Sequence, residues 1–488
     1  MSIQSVDYAV LAPVLVMALG ALVVLVVDLF GRRGPALPGW VALGVVVAAL
    51  AALPQSLDGQ TLCWTPAQCA YAVASPAGAF QLIVLAATLV VVLLSVSTVS
   101  ELRLPAGEYY FLLLGSAAAA VALPATRDLI SLLVVLEVVS LPTFALVGLK
   151  RGDPRSGEAA LKIFLYSVVS MAVALYGVAL VYGSTGSVVF EAVFAVAANA
   201  DARTPVLAAG LVMVIAVMLF KIAAFPFNAW APDTYQGAPI PVAAYLSVVS
   251  KIAGFAGLTL LVRWIWWPEV WSVALAVCAA VTVLGANVAA LRQSSAVRLL
   301  AWSSVAQAGY VLVPLAALVA DGVPRVAVLT AMIAYLAIYA AMNLGAFAVV
   351  AVVARQHPDP SLSDFDGLAR RQPWLGMALA LFLLALAGLP PGLSGLFAKV
   401  GVLAVPVGTG AWWLAGVMGV ATVIGLAYYL PWAARLFRAP VRAAGDEHAT
   451  EPGRPRTPVG LAAGTALALL ATVVLSVAPA LAFGLVGS

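Results

Sequence analysis

The chain has 488 residues, of which 64% are hydrophobic and only 9% charged, and its formal net charge is +4. So little charge cannot clothe the water-facing surface of a soluble protein of this length. The basic residues are scattered through short loops, which excludes a nucleic-acid footprint, and three cysteines with no CxxC and no His/Cys cluster argue against metal or iron–sulfur ligation.

Apolar runs recur from end to end, each long enough to cross ~30 Å of hydrocarbon as a helix. They are too long and too little alternating to be strands. The first run begins at Tyr8, lacks a basic n-region and a cleavage site, and reads as a retained helix. Read against Pro, Gly and charge, the sequence predicts fourteen spans, near 8–30, 36–53, 79–99, 109–124, 128–149, 158–182, 205–228, 240–262, 270–291, 298–319, 325–354, 374–402, 411–436 and 458–484. The longest polar segments, Arg355–Pro373 and Arg435–Pro458, are too short and polar to fold alone. The expected class is an all-α integral membrane protein.

Lys and Arg in the loops set the orientation. With the N-terminus outside, the inner loops hold Arg32, Arg33, Arg103, Lys150, Arg151, Arg155, Arg292, Arg298, Arg355, Arg370, Arg371 and the cluster from Arg435 to Arg456. The outer loops carry only Arg127, Arg203, Arg263 and Arg325. Both termini are therefore expected outside. The outer loop after the second span contains Cys63 and Cys69, which in an oxidising exterior form a disulfide or stay as two thiols.

Lysine is distributed unlike arginine. Four of the five lysines, Lys162, Lys221, Lys251 and Lys399, fall inside predicted spans, whereas none of the nineteen arginines falls at the centre of one. Arginine stays charged at any working pH, and a buried lysine can give up its proton. Using Lys inside the membrane suits reversible protonation.

Glu137 lies mid-span in RDLISLLVVLEVVSLPTFALVGL, where a charge costs ~2.5–3.5 kcal/mol on insertion scales. Pro142 follows and frees the carbonyl of Val138. The plain alternative is a protonated carboxylic acid bonded to a neighbouring helix. Lys221 has the same arrangement, with Pro226 freeing the carbonyl of Ile222, as in the broken helices of transporters. Lys251 follows Ser247 and Ser250, and its alternative is a lysine reaching back to a carbonyl at a kink. Lys399 is preceded by GLPPGLSGLFAK, where Pro390 and Pro391 break the helix. Two interrupted spans in corresponding places point to an inverted repeat. Lys162, one to two turns into its helix, is a further candidate, and its alternative is a lysine snorkelling to the inner face. Asp128, beside Arg127, reads as a helix-start residue with a structural role. His357 and His448 lie in inner loops, and no nucleotide-binding or hydrolase motif is present.

These stretches together resemble the antiporter-like membrane subunits of proton-pumping NADH–quinone oxidoreductase, respiratory complex I, and most closely subunit N. The matching stretches are RDLISLLVVLEVVSLPTFALV, EAALKIF, FKIAAFPFNAWAPDTYQGAP, LSVVSKIAGFAGL, VRLLAWSSVAQAGY, YLAIYAAMNLGAFAVV and LAGLPPGLSGLFAKVGVL, in family order over about residues 100–435. Lysine at 399, where the similar subunit M usually has glutamate, selects subunit N. Three positions depart from the pattern: Asn228 and Gln307 stand where histidine is frequent, and Gln236 where glutamate is common.

The resemblance implies three N-terminal helices (residues 1–105), two inverted five-helix repeats (106–264 and 265–440), each with a Pro-broken helix, and a last loop and helix (441–488). It implies a hydrated midplane line in which Glu137 pairs with Lys221 and protons pass by Lys251 to Lys399, with Lys162 as a further member. NADH, FMN, iron–sulfur clusters and quinone would belong to partner subunits, this chain holding no cofactor or metal. Its partners would be the lipid bilayer and the other membrane subunits of the complex, in the inner (cytoplasmic) membrane with periplasmic termini. Two other readings remain open. One is a subunit of a cation/proton antiporter or hydrogenase membrane arm; the other is a scaffold whose charges only fix helix packing.

Overall fold

The computed structural model describes residues 6–31, 34, 36–65, 68–199, 204–264, 268–317, 325–438 and 457–486. Arg32, Arg33, Arg203, His448 and the basic cluster beyond Arg438 lie outside the described residues. The chain begins with α1 (Tyr8–Phe30) and α2 (Leu37–Ser56), then a hairpin of β1 (Gln60–Thr65) and β2 (Gln68–Ala72). Next come α3 (Ala77–Glu101), α4 (Ala106–Ala122), α5 (Leu129–Val147), α6 (Pro154–Thr185) and the short α7 (Phe190–Ala198). The first interrupted span is α8 (Pro205–Lys221) followed by α9 (Trp230–Gly237). The following span joins α10 (Ile240–Tyr245), a π turn (Leu246–Ser250) and α11 (Lys251–Trp264). After it stand α12 (Pro268–Ala290), α13 (Ala296–Ala316), α14 (Arg325–Ala354) and the short α15 (Leu368–Arg371). The second interrupted span is α16 (Pro373–Ala387) and α17 (Leu393–Gly408), and the chain closes with α18 (Trp412–Arg435), α19 (Val459–Val477) and α20 (Ala480–Phe483).

Among the described residues twelve helical spans are long and apolar enough to cross a membrane, and α8, α16 and α17 are shorter apolar pieces. Counting each interrupted span once gives the expected fourteen crossings. Sequence chemistry sets their starts. Asp128 caps α5 by accepting from Ser131 N at 2.7 Å, the structural role expected of it. Asp153 caps α6, with Pro154 in the first turn where a missing N–H is harmless. The most enclosed spans are α10–α11, α13 and α14, whereas α1, α2, α6, α18 and α19 lie at the periphery.

Two elements were not expected. The hairpin lies in the segment between α2 and α3, outside the long apolar runs, which are helical as expected. It pairs Cys63 opposite Cys69, and the two form a disulfide. Thr61 Oγ1 accepts from Asp7 N at 2.8 Å, and Arg127 N donates to Ala70 O at 3.2 Å, so the hairpin covers one end of the bundle. The second element, α7, lies in the loop between α6 and α8.

Contacts between distant loops gather at the two ends of the bundle. At the hairpin end, Tyr71 bridges Thr126 and Arg263 Nη1 donates to Ser75 O. At the opposite end, Arg155 meets Asp359 at 2.7 Å, Arg355 meets Glu101 at 2.9 Å and Arg435 meets Asp366 at 3.6 Å.

Candidate functional site

Lys221 closes α8. Pro226 has no N–H to donate and disfavours helical backbone at Phe225, so helix stops and residues 222–229 are irregular, with Ala223 at φ 58°. The backbone groups released there find partners: Trp230 Nε1 donates to Phe220 O at 3.1 Å and Phe225 N to Thr282 Oγ1 at 2.8 Å. Lys221 is buried, with its ammonium 5.8 Å from the centroid of the Phe220 ring. Gly254 on α11 lets that helix approach, since a Cβ there would stand 2.9 Å from Lys221 Cβ. A cation in the last turn also complements the helix dipole.

Glu137 sits on α5, which runs unbroken through Pro142. Proline loosens the ladder without ending it, and Ser116 on α4 donates to the nearby Val139 O at 2.6 Å. Glu137 is half-buried, and its neighbours Val134, Val138 and Leu141 face outward. Its Oε1 is buried without a hydrogen-bond partner among the described residues, and no ion pair within 4 Å joins the carboxylate to Lys221 there.

Lys251 directly follows the π turn, a local widening common at functional sites. It is 1% exposed and donates to Ser304 O at 2.5 Å and Ser304 Oγ at 2.6 Å on α13. Ser247 inside the π turn is held from α14, where Asn343 Nδ2 donates to its hydroxyl at 2.7 Å and the Tyr339 hydroxyl to its carbonyl at 3.0 Å.

Lys399 lies on α17 just past the second break. Its Nζ donates to Ala387 O at 2.7 Å, one of the carbonyls left without an N–H at the end of α16, and stands 5.1 Å from the Tyr310 ring centroid. Gly395 makes this approach possible, because a Cβ there would lie 1.6 Å from Ala385 O.

Polar groups lie between these two lysines, in hydrogen-bonded stretches linked at two points only by sequence neighbours. Ser303, next to Ser304, bonds the Tyr429 hydroxyl of α18. Gln307 Nε2 reaches both the Tyr429 hydroxyl and Leu386 O at 3.3 Å, and Tyr335 donates to Gln307 Oε1. Leu386 adjoins Ala387, which accepts from Lys399.

Lys162 stands apart from this row. It is 40% exposed near the end of the bundle away from the hairpin and forms ion pairs with Glu158 at 2.6 Å and Asp233 at 2.9 Å. Asp233 also binds Arg298 at 2.8 Å, and Gln236 accepts from Arg298 at 3.0 Å. Asn228 is half-buried in the first break. Among the described residues no group of three or more His, Cys, Asp or Glu side chains gathers to hold a metal.

The profile of the family described as NADH:quinone oxidoreductase/Mrp antiporter, transmembrane, matches residues 126–425. The chain belongs to this family. Within it, "NADH-quinone oxidoreductase subunit N 2" of Streptomyces griseus is 48% identical over 98% of this chain and 92% of its own length. A chain in the structure of respiratory complex I from Thermus thermophilus is 31% identical, with a TM-score of 0.76 over 96% of this chain and 98% of that one. The Mrp complex from a Dietzia species superposes at a TM-score of 0.84 over 98% of this chain with 21% identity, a likeness of fold alone. The chain is thus an antiporter-like, multi-pass membrane subunit of the NADH:quinone oxidoreductase/Mrp family, and all five candidate residues fall within the matched region.

Reading the residues missed Ser303, Ser304, Tyr429 and Asp233. Ser303 and Ser304 were visible as polar letters inside an apolar run, but nothing in their spacing told which lysine they meet. Tyr429 sits in AYYLPW and reads as an interfacial aromatic until α18 is placed beside α13.

Proposed function

We propose that this chain is a proton-translocating membrane subunit of an NADH–quinone oxidoreductase. The observation that carries the reading is the set of buried polar groups between the two lysines: Ser304 on Lys251, Ser303 and Gln307 on Tyr429, and the α16 terminus on Lys399. Ser, Tyr and Gln side chains buried between two lysines supply donors and acceptors along which a proton or a bridging water can pass. Glu137 and Lys221 form the charged pair at the start of the line. A carboxylate beside an ammonium favours the charged form, so separating the pair promotes release of the proton toward Lys251. One pK unit is ~1.4 kcal/mol, so partial separation of a hydrated pair moves a proton between neighbouring sites.

In this reading residues 106–264 and 265–440 are two inverted repeats, each built around its interrupted span, and Lys162 serves the inner approach to the line. The protein lies in the cytoplasmic membrane with both termini outside, supported by the sorting of basic loops and by the disulfide at the hairpin end. NADH, FMN, iron–sulfur clusters and quinone belong to partner subunits, with which this chain packs in the bilayer. The 48% identical relative, named as an oxidoreductase subunit, favours this assembly over a cation/proton antiporter or a hydrogenase arm.

Lys221→Ala and Glu137→Ala in the assembled complex test the reading against a scaffold role. Proton pumping should fall by roughly tenfold or more, in the range of lost acid–base groups, with assembly retained. Normal pumping in a normally assembled complex would sink it.

A further inference from the structure

We propose that Asp233 is a positioning residue that ties the two halves of the chain together at the inner mouth and holds the backbone beside Lys221; this rests on the proton-conducting reading above. Its carboxylate is divided between cations from different halves. One oxygen takes Lys162 on α6 at 2.9 Å, and the other takes Arg298 on α13 at 2.8 Å. The side chains are about one-third exposed, 34% for both Asp233 and Arg298, so water can take the place of either partner.

Helix α9 converts this bond pattern into a lever. Asp233 lies one turn from Trp230, which donates to Phe220 O and rests on the Phe220 ring at a centroid distance of 5.5 Å. Phe220 directly precedes Lys221. The first turn of α9 is therefore tied to Phe220, next to the buried lysine, and the turn after it to α6 and α13. The carboxylate satisfies both cations only at the present separation of α6 and α13. A shift of one half against the other breaks one bridge, leaves the other, and swings α9 with the interrupted backbone.

Gln236 sharpens the assignment. It lies one turn further along α9 and accepts from the same Arg298 nitrogen at 3.0 Å, but its amide is neutral. Asp233 is thus the anion of α9 that faces both cations.

The test uses the isolated parent complex in proteoliposomes, measuring quinone-linked NADH oxidation and proton pumping. Asp233→Asn should lower coupled turnover about fivefold, the low end of inter-site coupling, and Asp233→Glu should restore most of it. Lys221→Ala is run beside them. If Lys221→Ala pumps normally, the proton-conducting reading fails. If Lys221→Ala is impaired while Asp233→Asn matches wild type, or Glu restores nothing, the positioning role is overturned. Should Asp233→Asn not assemble, Arg298→Gln carries the test through hydrogen exchange of the 219–230 amides. Faster exchange with reduced turnover supports the proposal, and unchanged exchange overturns it.

Discussion

Lysine and arginine diverge in this chain because they differ in what burial does to them. Lys221, Lys251 and Lys399 are all buried, whereas Arg155 and Arg298 form partly exposed ion pairs at the end of the bundle away from the hairpin. The distinction predicts the outcome of Lys399→Arg. Guanidinium keeps the positive charge and can still donate to Ala387 O, but it does not release its proton at any working pH. Assembly should persist while coupled proton pumping in proteoliposomes falls by roughly tenfold or more. Wild-type pumping by this variant would show that Lys399 acts only as a fixed charge. Glu137 was readable by its depth in an apolar run and Lys399 by its nearness to two prolines. Lys162 was not: its helical position was right, but whether a long side chain turns to the midplane or to the mouth depends on Asp233, seventy-one residues later in sequence.

At the scale of elements, the two interrupted spans differ in which side of the break carries the lysine. Lys221 ends the helix before its break, and Lys399 follows its break and reaches back to the helix before it. Both place an ammonium at the carbonyl end of a helix, where the dipole and unpaired C=O groups favour a cation. The second arrangement requires very close approach of α17 to α16, and Gly395 supplies it. Gly395→Ala should force the two pieces apart and cost ~1–3 kcal/mol as an overpacking change. The expected result is a lower thermal unfolding midpoint of the complex together with impaired pumping; an unchanged midpoint would mean that the contact adjusts freely. Both breaks were legible in the sequence because proline removes a donor wherever it falls. The lengths of the irregular stretches were not, since they depend on partners such as Thr282 and Trp230 brought in from other elements.

For the molecule as a whole, the hairpin disulfide bears on orientation. The hairpin, Thr126 and Ser75 cluster at one end, and Asp233, Arg298, Arg355 and Asp359 at the other. If the hairpin end faces an oxidising exterior, membrane-impermeant maleimide should label Cys63 and Cys69 in intact cells only after reduction. Labelling of inside-out vesicles instead would reverse the proposed orientation. Losing the cross-link removes roughly 2 kcal/mol of loop-closure stabilisation, so the effect should stay confined to the hairpin.

Membrane class, the number of crossings and the burial of Lys221, Lys251 and Lys399 were determined by sequence alone. Hydrocarbon imposes a minimum apolar length on every span and makes each internal charge conspicuous. Tertiary structure alone decided which polar groups connect those charges. Ser304 reaches Lys251 across 53 positions and Gln307 reaches Tyr429 across 122, separations that follow from helix packing and not from any local periodicity. It also decided that Lys162 joins the ion pairs around Asp233, because one aspartate on an eight-residue helix stands between α6 and α13.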